Sequence, residues 1–269
     1  MRAIALHADV LVVTSAVLQV NCIVVRGPVD APSPPPDAAH GETFVIDSPV
    51  LPDELDALPA VVEQAGFPAP AGLLATHGDW DHLLGRLAFP GAALGCAEST
   101  AERLRAAPGE AQRKLRGFDE ELMIGRPRPL ALGTVQALPV PGRCSLGDRE
   151  LELHVTAGHV ADGMAVVVPW ANVLLAGDYL SPIEPPTLVA GGLEPYLTTL
   201  ERLQGLIERA AHVVPGHGPV LDRASALSVL GEDEAYLRDL AQRGADAALP
   251  PRCHGPFQRR LHGENAAAL

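Results

Sequence analysis

The segment Thr76-His77-Gly78-Asp79-Trp80-Asp81-His82 places two imidazoles and two carboxylates within six positions, directly after the apolar run Ala71 to Ala75. Borderline and hard divalent cations accept that mixture of nitrogen and oxygen ligands. In a loop at a strand end, side chains at i and i+2 project together. Gly78 is expected to turn the backbone tightly, so that positions i+4 and i+5 converge on the same point. Taken singly, a histidine is usually a surface or satisfied core residue and an Asp-rich loop is usually a turn. The combination and its spacing carry the signal.

Three later positions have similar surroundings: His159 in Ala157-Gly158-His159, Asp178 in Leu174-Leu175-Ala176-Gly177-Asp178, and His217 in Val214-Pro215-Gly216-His217-Gly218-Pro219. Each lies just past an apolar, strand-like run and has glycine immediately before it, which leaves room for an ion at the rim of a sheet. With these motifs in this order, the chain from Asn21 and Asp47 through His217 resembles the metallo-β-lactamase fold superfamily. The resemblance implies an α/β protein, a four-layer αβ/βα sandwich of two mixed β-sheets flanked by helices, with a dinuclear metal site. It also implies that His77 and His159 bind a first metal, that Asp81, His82 and His217 bind a second, and that Asp178 bridges them.

This sequence departs from the family pattern at Asp79, where a second histidine is usual and the first metal site should be completed. Two divalent ions, two carboxylates and a hydroxide sum to about +1, and a third carboxylate brings the sum to about 0. Such a site is expected to be a weaker Lewis acid. Zinc is the first choice of metal, with iron or manganese as alternatives because oxygen is a harder ligand than imidazole nitrogen. Flavodiiron proteins of the same superfamily carry a carboxylate here, so an iron-dependent redox enzyme is the alternative reading. Asp is also short, which leaves a mononuclear hydrolase open.

The leading expectation is a metal-dependent hydrolase in which a metal-bridged hydroxide attacks an ester, thioester, lactone or related carbonyl. Asp81 is the candidate catalytic residue, orienting the nucleophile and shuttling its proton. Tyr179 is a candidate substrate contact and Trp80 a packing residue. Arg252, Arg259 and Arg260 are minor candidates for anion binding. The partner is expected to be a small molecule, because a formal charge of −13 repels phosphate backbones and anionic headgroups. The sequence does not set the oligomeric state.

The elements that must position these residues are short. Val10 to Val13, Val17 to Val25, Thr43 to Ile46 and Ala71 to Thr76 read as strands, as do Val135 to Val140, Glu150 to Thr156, Met164 to Val168 and Val173 to Ala176. Helices are expected at Pro52 to Ala65, Pro195 to Ala210 and Ala224 to Arg243, the last interrupted by Gly231. One or two helices broken near Pro108 and Gly109 are expected within an insert at about 98–123, the candidate lid, and residues after Arg243 show little periodicity. A Pro-rich loop spans 27–41. Without a composition break, residues 1–269 read as a single domain.

Gly and Pro number 26 each, well above the roughly 12% combined share of an average protein, while hydrophobic residues reach 47%. That is a turn-rich globular chain with ample core material. Lys114 is the lone lysine, read as the coding bias of a GC-rich bacterial genome. Four dispersed cysteines and the lack of a visible targeting signal or membrane span lead to an expected cytoplasmic location.

Overall fold

β-Branched runs supply three neighbouring strands of the first sheet, Val10–Thr14, Asn21–Gly27 and Glu42–Ile46. In the computed structural model, which describes residues 1–28, 41–188 and 190–269, strands β1 (Arg2–His7), β2 (Val10–Thr14), β3 (Asn21–Gly27) and β4 (Glu42–Ile46) pair antiparallel in sequence order. From β4 onward the pairing becomes parallel, through β5 (Gly72–Leu74), β6 (Ala93–Ala97) and β7 (Val135–Leu138), completing seven strands. Parallel neighbours require crossovers. Helix α1 (Pro52–Gln64) supplies the first, α2 (Gly85–Ala88) the second, and α3 (Glu98–Ala106) with α4 (Glu110–Glu121) the third.

Helix α1 forms where expected because Leu55, Leu58 and Val62 share one face at helical spacing and Pro52 sits in the first turn. Gly66 follows the helix at φ +80°, a conformation that favours glycine. Leu55, Leu58 and Val62 are buried with Val13, Val24 and Val45 of the sheet. Each such side chain contributes roughly 1.5–3 kcal/mol through burial.

A hairpin of β8 (Gly142–Leu146) and β9 (Arg149–Val155) precedes β10 (Met164–Val168), β11 (Val173–Gly177), β12 (His212–Pro215) and β13 (Leu221–Asp222). Their hydrogen-bonded order is β13-β12-β11-β10-β9-β8, a second mixed sheet in which β11 and β12 run parallel. Helix α5 (Leu193–Ile207) makes that crossover. Helix α6 (Arg223–Arg243) starts where Asp222 accepts the Ser225 N–H at 2.7 Å, and α7 (Pro256–Ala267) closes the chain. The backbone groups into two compact units, Met1–Leu153 and His154–Leu269.

Several boundaries differ from the sequence reading. Gly231 does not interrupt α6: it faces open space, where its missing side chain removes no packing. The C-terminal stretch holds α7, whose lone buried residue, Asn265, leaves little apolar periodicity to detect. Strands β1, β6, β8 and β13 were not expected, because none of them carries a run of β-branched residues. The insert does contain two helices, and it is packed: Thr100, Ala101, Ala111 and Leu115 are buried. The Pro-rich loop lies for the most part outside the described residues. All four cysteines are free, and among the described residues no helix is long and apolar enough to cross a membrane.

Arg252 is committed inside the second unit. Its guanidinium donates to Glu232 at 2.9 Å, to the Ser181 and Glu184 carbonyls, and to the fully buried Asp233. Arg259 donates to the His254 carbonyl, and Arg260 faces Glu264 one helical turn away.

Glu54 ties the start of α1 to the end of β2. Its carboxylate accepts from Ser15 Oγ at 2.5 Å and from the amides of Ala16 at 2.8 Å and Leu51 at 3.3 Å. Burial pushes its pKa up, but these hydrogen bonds outweigh that and hold it below the ordinary carboxylate value. A lowered carboxylate contributes stability above its unfolded pKa and loses it as pH falls through the folded one. Glu54→Gln is therefore expected to be about 1–3 kcal/mol less stable than the parent at pH 7. In urea titrations, the gap should close as pH drops below about 4.

Candidate metal centre

The carboxyl ends of parallel strands are where open α/β sheets present functional side chains. In the first unit Asp47 follows β4, residues 76–82 follow β5, and α3 leads directly from the end of β6. Asp47 is nearly fully buried and sits at φ +57°, a left-handed conformation that Asp tolerates better than most residues. Its Oδ1 accepts the Thr76 amide and its Oδ2 the Thr76 hydroxyl, both at 2.8 Å. The same Oδ2 lies 3.0 Å from His82 Nδ1.

These interactions set the imidazoles. Thr76 Oγ1 directs its proton to Asp47, so it can only accept from His77 Nδ1, 3.1 Å away. That places a proton on Nδ1 of His77 and leaves Nε2 with a lone pair, and the carboxylate beside His82 Nδ1 biases that ring the same way. The two rings lie 4.2 Å apart, centroid to centroid. His77 Nε2 faces Asp79 Oδ2 at 3.6 Å, and His82 Nε2 faces Asp81 Oδ2 at 3.8 Å. Ser48 fixes the loop from the neighbouring position, donating to the Asp81 carbonyl at 3.3 Å and accepting the Leu84 amide at 3.0 Å.

Gly78 is not among the residues with positive φ; a short helical turn at Trp80–His82 bends the segment instead. Trp80 packs on Phe118 of α4 at 4.7 Å between ring centroids, the packing role expected for it. Arg103 of α3 places Nη2 2.6 Å from Asp79 Oδ1.

In the second unit His159 follows β9, Asp178 follows β11 and His217 follows β12. Asp178 Oδ2 lies 3.3 Å from His159 Nε2 and 3.2 Å from His217 Nε2. Gly216 makes room for this carboxylate, since a Cβ there would fall inside the van der Waals envelope of Asp178 Oδ1. Thr187 Oγ1 lies 2.5 Å from His159 Nδ1, leaving Nε2 as the edge turned toward Asp178. Tyr179 is buried in the core, its ring 4.6 Å from that of Tyr196, and its hydroxyl accepts the His159 backbone N–H at 3.1 Å. Burial raises the Tyr179 pKa, so the hydroxyl stays protonated at neutral pH.

The donor set fits a divalent cation. Two ligands about 2.0–2.1 Å from a tetrahedral ion stand about 3.3 Å apart, and the nitrogen-to-carboxylate separations of 3.2–3.8 Å bracket that value. Hydrogen bonds are shorter, with a mode near 2.9–3.0 Å. Each of the seven residues His77, Asp79, Asp81, His82, His159, Asp178 and His217 offers a ligand atom to a His/Asp group able to hold a metal ion.

A family model described as the metallo-beta-lactamase superfamily matches residues 16–217. The chain belongs to the metallo-β-lactamase superfamily. Among solved structures of similar fold, a metallo-beta-lactamase family protein from Thermus thermophilus superposes with a TM-score of 0.68 at 20% identity, covering 98% of this chain and 92% of that one. A beta-lactamase domain protein from Burkholderia ambifaria gives a TM-score of 0.65 at 18% identity, covering 99% and 87%. A beta-lactamase-like protein 2 homolog from Caenorhabditis elegans is 34% identical over 73 residues, 27% of this chain and 23% of that relative. The superfamily fold of two mixed sheets flanked by helices is thus the fold observed.

Sequence reasoning about this metallo-β-lactamase superfamily member missed Arg103, Ser48, Thr76 and Thr187. Arg103 and Thr187 lie 24 and 28 positions from their partners and carry no local signal. Asp47 entered only through the resemblance, although its place just after a strand-like run could have marked it. Asp47→Asn should weaken Zn²⁺ affinity by about tenfold to a hundredfold, because it removes the carboxylate that orients both imidazoles. Competition titration against a chromophoric chelator reads this, and unchanged affinity would remove Asp47 from the site.

Proposed function

We propose that this protein is a metal-dependent hydrolase of small carbonyl substrates, an ester, thioester or lactone, with two divalent ions as cofactor and zinc as the first choice. The observation that carries the reading is the pair of ligand sets, His77-Asp79-Asp81-His82 and His159-Asp178-His217. Each is set at the ends of strands with its Nε2 edges turned toward carboxylate oxygens. In this reading, supported by the order of the motifs, both sets would form one centre: His77, Asp79 and His159 would hold a first ion, Asp81, His82 and His217 a second, and Asp178 would serve both.

When bound, the ions supply Lewis acidity and bring the pKa of a coordinated water toward neutrality. The chain's own residues do the rest. Asp47 and Thr187 keep imidazole protons on Nδ1, so that Nε2 lone pairs serve as ligands. Asp81, with its backbone carbonyl pinned by Ser48, orients the nucleophile and carries its proton to the leaving group. Tyr179, a candidate substrate contact by sequence, is buried and acts on the site by positioning His159, whose backbone N–H its hydroxyl accepts. The net charge of −13 favours a small-molecule partner over nucleic acid or an anionic membrane surface, and a cytoplasmic setting accords with the free cysteines.

Chelation is expected to abolish hydrolysis across a panel of ester, thioester, lactone and phosphodiester substrates, and added Zn²⁺ to restore it on at least one carbonyl substrate. Asp81→Ala should lower kcat at least about a hundredfold. Turnover that survives complete metal removal would contradict the proposal. Bound iron with no hydrolysis of any substrate would replace it with a redox enzyme.

A further inference from the structure

Asp79 stands where the superfamily usually carries an imidazole, and two facts about its side chain bear on how it works there. One oxygen, Oδ1, lies 2.6 Å from Arg103 Nη2, a charge-assisted contact. The other, Oδ2, faces His77 Nε2 at 3.6 Å, too long for a hydrogen bond and close to the spacing of two ligands on one ion. Both side chains are about three quarters buried, at 24% exposure, so the pair is partly shielded from solvent screening.

We infer that Arg103 is a positioning residue for metal, acting through Asp79 so that the Asp–Arg pair does the work of a single neutral imidazole. The inference rests on the metal-dependent reading above. A free carboxylate offers two oxygens and a full negative charge. With the guanidinium on Oδ1, Oδ2 is the oxygen turned toward His77, one ligand atom as in the single nitrogen of a histidine. The cation also offsets the third carboxylate, returning the site's formal charge from about 0 to about +1. Arg103 can do this because α3 begins at the end of β6, beside the strand that feeds the metal loop, and because the buried Thr100 and Ala101 fix its register. Glu110 also feels Arg103 and is itself held by Lys114 at 2.8 Å.

The test measures Zn²⁺ affinity and stoichiometry, and the visible spectrum of Co²⁺-loaded protein, in the parent, Arg103→Met, Asp79→Asn and the double variant. Arg103→Met should weaken one of two Zn²⁺ equilibria by about tenfold to a hundredfold and alter the Co²⁺ ligand-field bands. In the Asp79→Asn background the same change should have no further effect, since the interaction it removes is already gone. Arg103→Gln, which keeps a donor without the charge, should give the same ordering with smaller amplitude, and it carries the comparison if the Met variant does not fold.

Equal losses in both backgrounds would make Arg103 merely structural. Tighter binding in Arg103→Met would show that it draws Asp79 away from the ion. Unchanged affinity in both Arg103 variants would also overturn the inference while leaving the hydrolase reading intact. A parent that binds no Zn²⁺ would instead overturn that underlying reading.

Discussion

One buried carboxylate organises the first ligand set. Asp47 sits in a left-handed backbone conformation at the end of β4, accepts two hydrogen bonds from Thr76 and lies against His82 Nδ1. Uncompensated burial of a carboxylate costs several kcal/mol. The neighbouring loop must therefore deliver Thr76 and His82 to that point, and once it does, His77, Asp79 and Asp81 have little freedom left. Ser48 adds a second restraint on the same loop from the next residue along. Ligand geometry in this unit is thus a consequence of satisfying Asp47, with the metal loop folded around it before any ion is considered.

The sheet explains why such a short stretch of chain suffices. Parallel pairing of β4, β5 and β6 stacks their carboxyl ends side by side, so residues 47, 76–82 and 103 meet although they are far apart in sequence. The second unit repeats the device with β11 and β12, whose parallel register sets Asp178 beside His217. Gly216 has no side chain there because the Asp178 carboxylate occupies that space.

These constraints also decide what could be read from sequence. His77, Asp79, Asp81 and His82 were legible because four ligand-type residues fall within one loop, and His159, Asp178 and His217 because each follows a strand-like run and a glycine. Helix α1 was legible from its apolar face, and the break at Pro108-Gly109 from its turn chemistry. Arg103 was not, because a charged residue on an amphipathic helix looks the same whether it meets solvent or a carboxylate. Helix α7 escaped for a related reason: its anchoring residue is a polar one, Asn265, which donates to the Pro186 carbonyl and accepts the Leu188 amide. At Asp79 a count of ligands leaves out Arg103, whose guanidinium lies 2.6 Å from the extra carboxylate.

The proposed function requires the two ligand sets to serve one pair of divalent ions. Anomalous diffraction at the zinc edge from crystals grown with Zn²⁺ tests it directly. The account predicts two peaks, one ligated by His77, Asp79 and His159, the other by Asp81, His82 and His217, with Asp178 touching both. Ions bound by either set alone, or no zinc at these residues, would contradict it.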